Sequence, residues 1–448
     1  MHLSDICVLG GGWAGLVSAF ELKSKYPYAK ITVLEASEGN NLGGLLRSVN
    51  IDNFTFDTGG PHILFSRSED ILHKIISFLG DNVRRVERKA YIYYDGRKIP
   101  YPFENGMYAL PPETRAKIGK DLLSAIIESA RKGNWVPSTF REWMYGFFGN
   151  YMSSTYLEPY NRKIWKTEPV LMDASWVFTP GRLPLPSLDD LVSSIAGIES
   201  IGYKEQQFFY YPRRGGIQSL YNSLLKRIEG LGIEFITGYK VYKISKEGTF
   251  WKINDNQMTR NVVNTLPLRT LPTIIEMPED VVRSCNNLVH NRVAVIGVAI
   301  DKPNPKEHVL YVPTNDIVFH RVTWMSYLTQ EQVRSSSNLI AEVTIPYNST
   351  PHIGQITDRT VDGLVKLGTI NSRDEVLFTK AWLNEFGYPI YTLNHQKDRS
   401  NIMKYLSAIG INTVGRWGSW HYWNTDMVYK AVLEMVNNFG LMNGGEQY

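Results

Sequence analysis

The chain of 448 residues and 51.2 kDa has room for two to four domains. Its 43% hydrophobic against 21% charged residues supply a large core and exclude wholesale disorder. A net charge of +4, from 48 Lys+Arg against 44 Asp+Glu, is too balanced for nucleic acid to be the default partner. Two cysteines, Cys7 and Cys285, exclude a disulfide framework and a multi-cysteine metal site, so no metal is expected. The longest strongly apolar run, Val293 to Ile300, is far short of the ~20 residues that cross a bilayer. Met1-His2-Leu3-Ser4-Asp5 carries no basic leader, and the expectation is a cytoplasmic protein without membrane insertion.

In chain order, Ile6, Val8 and Leu9 predict a strand that runs into Gly10-Gly11-Gly12-Trp13-Ala14-Gly15. A helix with apolar Leu16, Ala19 and Phe20 follows and ends before Pro27; Ile31-Thr32-Val33-Leu34 predicts a second strand closed by Glu35. This is the dinucleotide fingerprint in its strand–turn–helix–strand context. Gly10 permits the tight turn, Gly12 lets a pyrophosphate approach the backbone, and Gly15 lets helix and strand pack closely. Glu35 is placed to accept hydrogen bonds from a ribose diol. A second glycine segment, Leu42-Gly43-Gly44-Leu45, then Phe54-Thr55-Phe56-Asp57-Thr58-Gly59-Gly60-Pro61-His62, suits a long, extended FAD better than NAD.

Residues 66–82 and 104–165 read as helix-rich, with a 3.6-residue apolar stripe over Asp70 to Ile76. Ala90 to Pro100 alternates like a hairpin about Asp95-Gly96. Tyr211-Pro212-Arg213-Arg214-Gly215-Gly216 is expected to open another helix. Strand-like segments follow at Phe235, Val241–Ile244, Trp251–Ile253 and Asn261–Thr265, then at Val293–Ile300, Val309–Val312 and Leu339–Ile345. The chain closes on Gly415-Arg416-Trp417-Gly418 and a helix from about Asp426. Lys23–Lys25 and Lys302–Lys306 read as ordinary surface. No repeat or linker divides the chain, so the domains are interleaved.

With these residues in hand, the chain resembles the flavin-dependent UDP-galactopyranose mutases, within the amine-oxidase-like flavoproteins. The wider match rests on the fingerprint, Gly43-Gly44, Arg214-Gly215-Gly216, Val241, Thr265-Leu266-Pro267 and Gly415-Arg416. The narrower match, to the eukaryotic-type mutases, rests on Pro100-Tyr101-Pro102-Phe103, Pro159-Tyr160-Asn161 with Trp165, Leu310-Tyr311-Val312-Pro313 and Phe319-His320-Arg321. It continues through Gly387-Tyr388-Pro389 and Trp417-Gly418-Ser419-Trp420-His421-Tyr422.

The resemblance implies an α/β architecture: a Rossmann-like FAD-binding domain (1–65, 206–270, 395–448) interleaved with a helical insertion (66–82, 104–165) and an antiparallel-sheet substrate domain (83–103, 166–205, 271–394). It implies an isomerase that converts UDP-galactopyranose to UDP-galactofuranose for cell-surface glycans, N5 of reduced flavin attacking the anomeric carbon while the diphosphate departs and returns. Carried over by position, Arg182 and Arg321 hold the diphosphate, aided by Tyr311, Tyr388 and Tyr422. Arg416, Asn424 and His62 lie by the flavin and the sugar, and Tyr101, Phe103, Glu104, Tyr156, Asn161 and Trp165 line the base pocket. The implied FAD contacts are Gly10, Gly12, Trp13, Ala14, Gly15, Glu35, Ala36, Gly43, Gly44, Leu45, Gly60, Pro61, His62, Val241, Gly415, Arg416, Asp426 and Met427. NAD(P)H is the implied external reductant, a nucleoside-diphosphate sugar the partner, and a homo-oligomer is left open.

Glu104 departs from the family, which has an amide there. A carboxylate accepts hydrogen bonds but cannot donate, which favours a base edge with N–H donors, such as guanine's or a cytosine amine. Trp176 to Arg182 is longer, and Trp423 to Asp426 shorter, than the family spacing, and the His62 loop reads more like the bacterial mutases. The aromatic residues also suit a core, and Arg321 an internal salt bridge. Two other functions share the fold: an amine-oxidase-type oxidase or desaturase, which needs no diphosphate clamp, and a non-catalytic flavoprotein, indifferent to any sugar nucleotide.

Overall fold

The first glycine turn is shaped by close approach. β1 (His2–Leu9) ends at Gly10, whose φ is +94°, and the chain reverses into α1 (Trp13–Lys25). A Cβ on Gly15 would lie 1.9 Å from the Gly10 carbonyl oxygen, so only glycine lets α1 lie this close to the strand end. The computed structural model describes residues 2–131, 133, 135–178, 186–200, 207–329 and 335–441.

β1 pairs in parallel with β2 (Ile31–Leu34) and with β12 (Gln257–Asn264). The sheet extends, still parallel, to β9 (Glu234–Ile236) beyond β2 and to β18 (Ile411–Thr413) beside β12. β10 (Ile244–Glu247) and β11 (Phe250–Ile253) add an antiparallel edge along the start of β12. α8 (Gln218–Gly230) and α13 (Thr425–Asn438) pack against α1. α13 buries Val428, Val432 and Val436 at four-residue spacing, the inward stripe of an amphipathic helix. α9 (Glu279–Asn287) and α12 (His395–Ala408) join the sheet's second core, with Val281, Cys285, Ile402 and Leu406. Lys25 is not ordinary surface: its Nζ donates to the carbonyls of Val436 (2.7 Å), Asn437 (3.1 Å) and Phe439 (3.0 Å), closing the C-terminus of α13.

The second sheet runs in the order β17 (Val376–Ile390), β13 (Val289–Ile300), β16 (Ser337–Pro346), β15 (Arg321–Trp324), β14 (Val309–Tyr311), β6 (Ala90–Tyr94), β7 (Arg97–Pro100). All its pairs are antiparallel except β14 with β6. Both faces are covered, so β16 is buried throughout rather than alternating. Leu339, Ala341, Val343 and Ile345 share one core with Val361 and Leu364 of α11 (Ile353–Lys366). On the other face lies the hairpin of β3 (Ser48–Ile51) and β4 (Phe54–Asp57), its Phe56 ring 5.8 Å from Trp382.

A ribbon of β5 (Val83–Glu87) and β8 (Phe208–Pro212) links the layers. The expected helix start at Tyr211 is corrected here: Tyr211 and Pro212 end β8, and the helix begins at Gln218. Val241 is likewise outside any strand. The remaining helices are α2 (Glu69–Ser77), α3 (Phe103–Gly106), α4 (Pro112–Arg131), α5 (Phe140–Met152), α6 (Glu158–Trp165), α7 (Leu188–Ala196) and α10 (Met325–Leu328). α5 starts at a reciprocal cap in which Thr139 and Glu142 satisfy each other's backbone. Among the described residues no helix is long and apolar enough to cross a membrane.

Candidate functional site

Two glycine turns face each other at the ends of the parallel strands. A Cβ on Gly12 would meet nothing within 4 Å, and one on Gly44 would meet only the Gly12 Cα, at 3.8 Å. No side chain caps α1 and no acid occupies its first turn, so its N-terminus is an electropositive end suited to a pyrophosphate. Glu35 accepts the Gly11 N–H (2.7 Å) on one carboxylate oxygen and the Ser37 N–H (2.8 Å) on the other. Each oxygen keeps a lone pair for a ribose hydroxyl. Tyr221 supports the turn from behind, its hydroxyl donating to the Gly11 carbonyl at 2.8 Å. Gly415 (φ +101°) brings its backbone against Ala14, and Tyr239 binds the Glu35 carbonyl, which places the loop holding Val241 beside Ala36. These residues fit FAD. Trp13 differs from a simple contact: its indole is buried, donates to the Thr425 carbonyl (3.0 Å) and packs edge-on to Phe78, leaving its backbone to the cofactor. Asp426, buried, and Met427, half-buried, lie in the first turn of α13 just beyond.

From Leu45, Gly60, Pro61 and His62, beside the second glycine turn, a cavity of about 320 Å³ runs between the two sheets and the helices. It brings together Tyr101, Phe103, Glu104, Tyr156, Asn161, Trp165, Tyr311, Arg321, Tyr388, Arg416, Tyr422 and Asn424. Arg182 lies outside the described residues.

One end is aromatic. Tyr101 stacks on Tyr311 (4.9 Å between centroids), Phe103 on Tyr156 (4.2 Å), and Tyr156 on Tyr160 (5.9 Å). Burial raises the pKa of Tyr101, Tyr156 and Tyr160, so their hydroxyls stay neutral donors. Asn161 spends its amide within α6, donating to the Leu157 carbonyl (2.8 Å) and accepting the Trp165 indole N–H (3.0 Å). It therefore orients Trp165, whose ring meets Tyr388 and Tyr422 edge-on at 6.0 and 5.5 Å.

The other end is charged. Arg321 opens β15 directly across from Glu342 on β16 and donates from Nε (2.5 Å) and Nη2 (2.7 Å) to its two oxygens. Tyr388 donates to the same carboxylate at 3.2 Å. Burial opposes the charge on Arg321, but Glu342 and then Tyr388 outweigh it and hold the guanidinium protonated. This corrects the picture of a guanidinium fork wholly turned to phosphate: its Nε edge is committed to Glu342, and Nη1 is left to face an anion. Arg416 donates from Nη2 to the Gly387 carbonyl (2.5 Å) and lies 4.6 Å over the Tyr422 ring. His320, beside Arg321, is kept neutral by burial and then by that positive charge.

Two buried groups that sequence reasoning missed hold these walls in place. The Tyr391 hydroxyl accepts the Tyr422 backbone N–H (2.9 Å) and bonds His421 Nδ1 (3.1 Å), while Arg399 donates to the Ser419 carbonyl (2.7 Å). Together they fix the loop that presents Arg416, Tyr422 and Asn424. Lys163, on α6, donates from Nζ to the carbonyls of Val312 (2.8 Å) and Thr314 (2.6 Å), tying that helix to the segment after Tyr311. Burial, then Lys166, lowers its pKa to about 7. The unfolded chain therefore binds more protons than the native one between about pH 7 and the ordinary lysine value of about 10.4, and stability from this group rises with pH across that window. Urea midpoints at pH 7 and pH 9 should show that rise, and Lys163→Met should flatten it.

The model of the flavin-containing amine oxidoreductase family matches residues 13–385. Solved structures repeat the whole arrangement. A reduced UDP-galactopyranose mutase superposes with a TM-score of 0.87 at 22% identity, over 97% of this chain and 93% of that one. A putrescine oxidase redesigned in its cofactor binding follows at 0.66 and 12% identity, covering 98% and 100%. A fatty acid isomerase from P. acnes that produces CLA gives 0.65 at 14%, covering 97% and 98%. At these identities the likeness is one of fold, and that fold serves both oxidases and isomerases.

Proposed function

The chain belongs to the flavin-containing amine oxidoreductases, and we propose that within them it is a pyranose–furanose mutase for a nucleoside-diphosphate hexose. The observation that carries this reading is the convergence of Arg321 and Arg416 with the hydroxyls of Tyr311, Tyr388 and Tyr422 on one cavity beside the cofactor cradle. A site for hydride abstraction needs no such set of cations and neutral donors. Reduced flavin would supply the nucleophile for the anomeric carbon.

The protein's own part is to bind and to hold. Arg321, fixed in charge and orientation by Glu342, presents Nη1 to a phosphate oxygen, and neutral tyrosine hydroxyls donate to the others. Charge that grows on the departing diphosphate then meets donors already in place. Arg416 and His62 flank the sugar, and the aromatic end takes the base and excludes water. UDP-galactopyranose is the first substrate to test, and NAD(P)H the reductant.

Dithionite-reduced protein is to be incubated without oxygen with a panel of nucleoside-diphosphate hexoses, and the products separated by chromatography. A furanose isomer should form only with reduced protein, with no stoichiometric loss of reductant and no peroxide. Bleaching of the oxidised flavin by substrate, with peroxide on admission of air and no isomer from any nucleotide sugar, would establish an oxidase instead.

A further inference from the structure

The aromatic end of the cavity carries two charged side chains, Glu104 and Arg88. Glu104 stands in the first turn of α3, between Phe103 and the buried Asn105, with its charge felt at the hydroxyls of both Tyr101 and Tyr156. Arg88 follows β5 and also acts on Tyr101, so both side chains bear on the same few ångströms of the pocket. The stacked pairs Tyr101–Tyr311 and Phe103–Tyr156 supply flat walls on either side.

Planar walls with one acceptor-only group and one donor-only group constitute a hydrogen-bonding code. A carboxylate accepts through two oxygens and donates nothing; a guanidinium donates and accepts nothing. Uracil offers a single N–H flanked by two carbonyls, so a carboxylate set against that edge meets at least one oxygen. Cytosine and adenine each place an amine beside a ring nitrogen acceptor. Guanine alone has two adjacent donors, N1–H and the N2 amine, spaced to meet both carboxylate oxygens. Its O6 and N7 are the acceptors that arginine matches in pairs.

We infer that the base pocket is built for guanine and that the substrate is a GDP-hexose. The inference rests on the nucleotide-sugar reading of the cavity. Glu104 is its specificity-determining residue: Glu104→Gln replaces one acceptor with a donor and gives an edge that matches uracil.

The test is binding of GDP, UDP, CDP and ADP to the oxidised, FAD-loaded protein by equilibrium dialysis, without turnover. The parent should bind GDP at least about tenfold more tightly than UDP, because a site built for a hydrogen-bonded base rejects one that leaves its polar groups unmatched. Glu104→Gln should reduce or reverse that ratio, Glu104→Ala should erase it, and both should retain FAD. Equal or tighter UDP binding by the parent overturns the guanine assignment while the mutase reading stands. A GDP preference unchanged in Glu104→Gln removes Glu104 from the base. Failure of all four diphosphates to bind overturns the nucleotide-sugar reading itself, and this inference with it.

Discussion

Arg321→Ala is expected to lower both stability and turnover, and the two losses separate. Removing the guanidinium leaves Glu342, 2% exposed, as a buried carboxylate without its charge partner. Breaking such a pair costs about 3–5 kcal/mol, a drop that thermal melting will show. Arg321→Ala combined with Glu342→Gln removes the stranded charge and should restore most of the melting temperature. Turnover should remain about 10²–10³-fold below the parent, the usual loss when a transition-state donor is removed. Arg321→Lys keeps the charge but not the two-pronged pairing, and should recover turnover only in part. If the double variant isomerised at the parental rate, Arg321 would be a purely structural ion pair.

Gly12→Ala and Gly15→Ala should fail in opposite ways, although both sit in the same turn. A Cβ at residue 15 would fall 1.9 Å from a backbone oxygen, which cannot move without dismantling the junction of β1 and α1. That variant is expected to lose about 3 kcal/mol or more and to purify poorly or unfolded. At residue 12 the same Cβ meets open space, and the backbone there is extended, with φ at −74°. Gly12→Ala should therefore melt, as apoprotein, within about 1 kcal/mol of the parent. Its FAD affinity should nevertheless fall at least about tenfold, because the methyl occupies the space meant for the pyrophosphate. Apoprotein melting together with flavin titration decides both cases.

Local patterns in the sequence were enough for the fingerprint turn, the hairpin at Asp95-Gly96 and the C-terminal helix, because each is built from contacts a few residues apart. The lone charge in the apolar run at Arg321 marked a site residue for the same reason. Its counterpart, Glu342, is an equally lone charge in the apolar run of β16, yet it was passed over. What makes it meaningful is the register that sets residue 321 across from residue 342, and a sequence does not display register. Tyr391 and Lys163 were invisible on the same ground: they act by holding backbone groups of distant loops. β17, 15 residues long, was missed because most of it is half exposed on a sheet edge, so neither clean alternation nor a continuous apolar run announces it. The helix expected at Tyr211 failed because the glycines that end one element were taken for the start of the next.

The indole of Trp13 is bonded to the carbonyl of Thr425, 412 residues further on, and β1 is completed only by β12 and α13. At about 5–20 residues per second, a ribosome needs roughly 20–80 s to travel that distance. For that whole interval the first-made segment, with its apolar strand and glycine turn, has neither its neighbours nor a formed cradle. Flavin is thus captured only when synthesis is nearly over. A nascent chain must meanwhile keep its amino-terminal strand from pairing elsewhere, and removal of α13 would empty the cofactor site from the opposite end of the polypeptide.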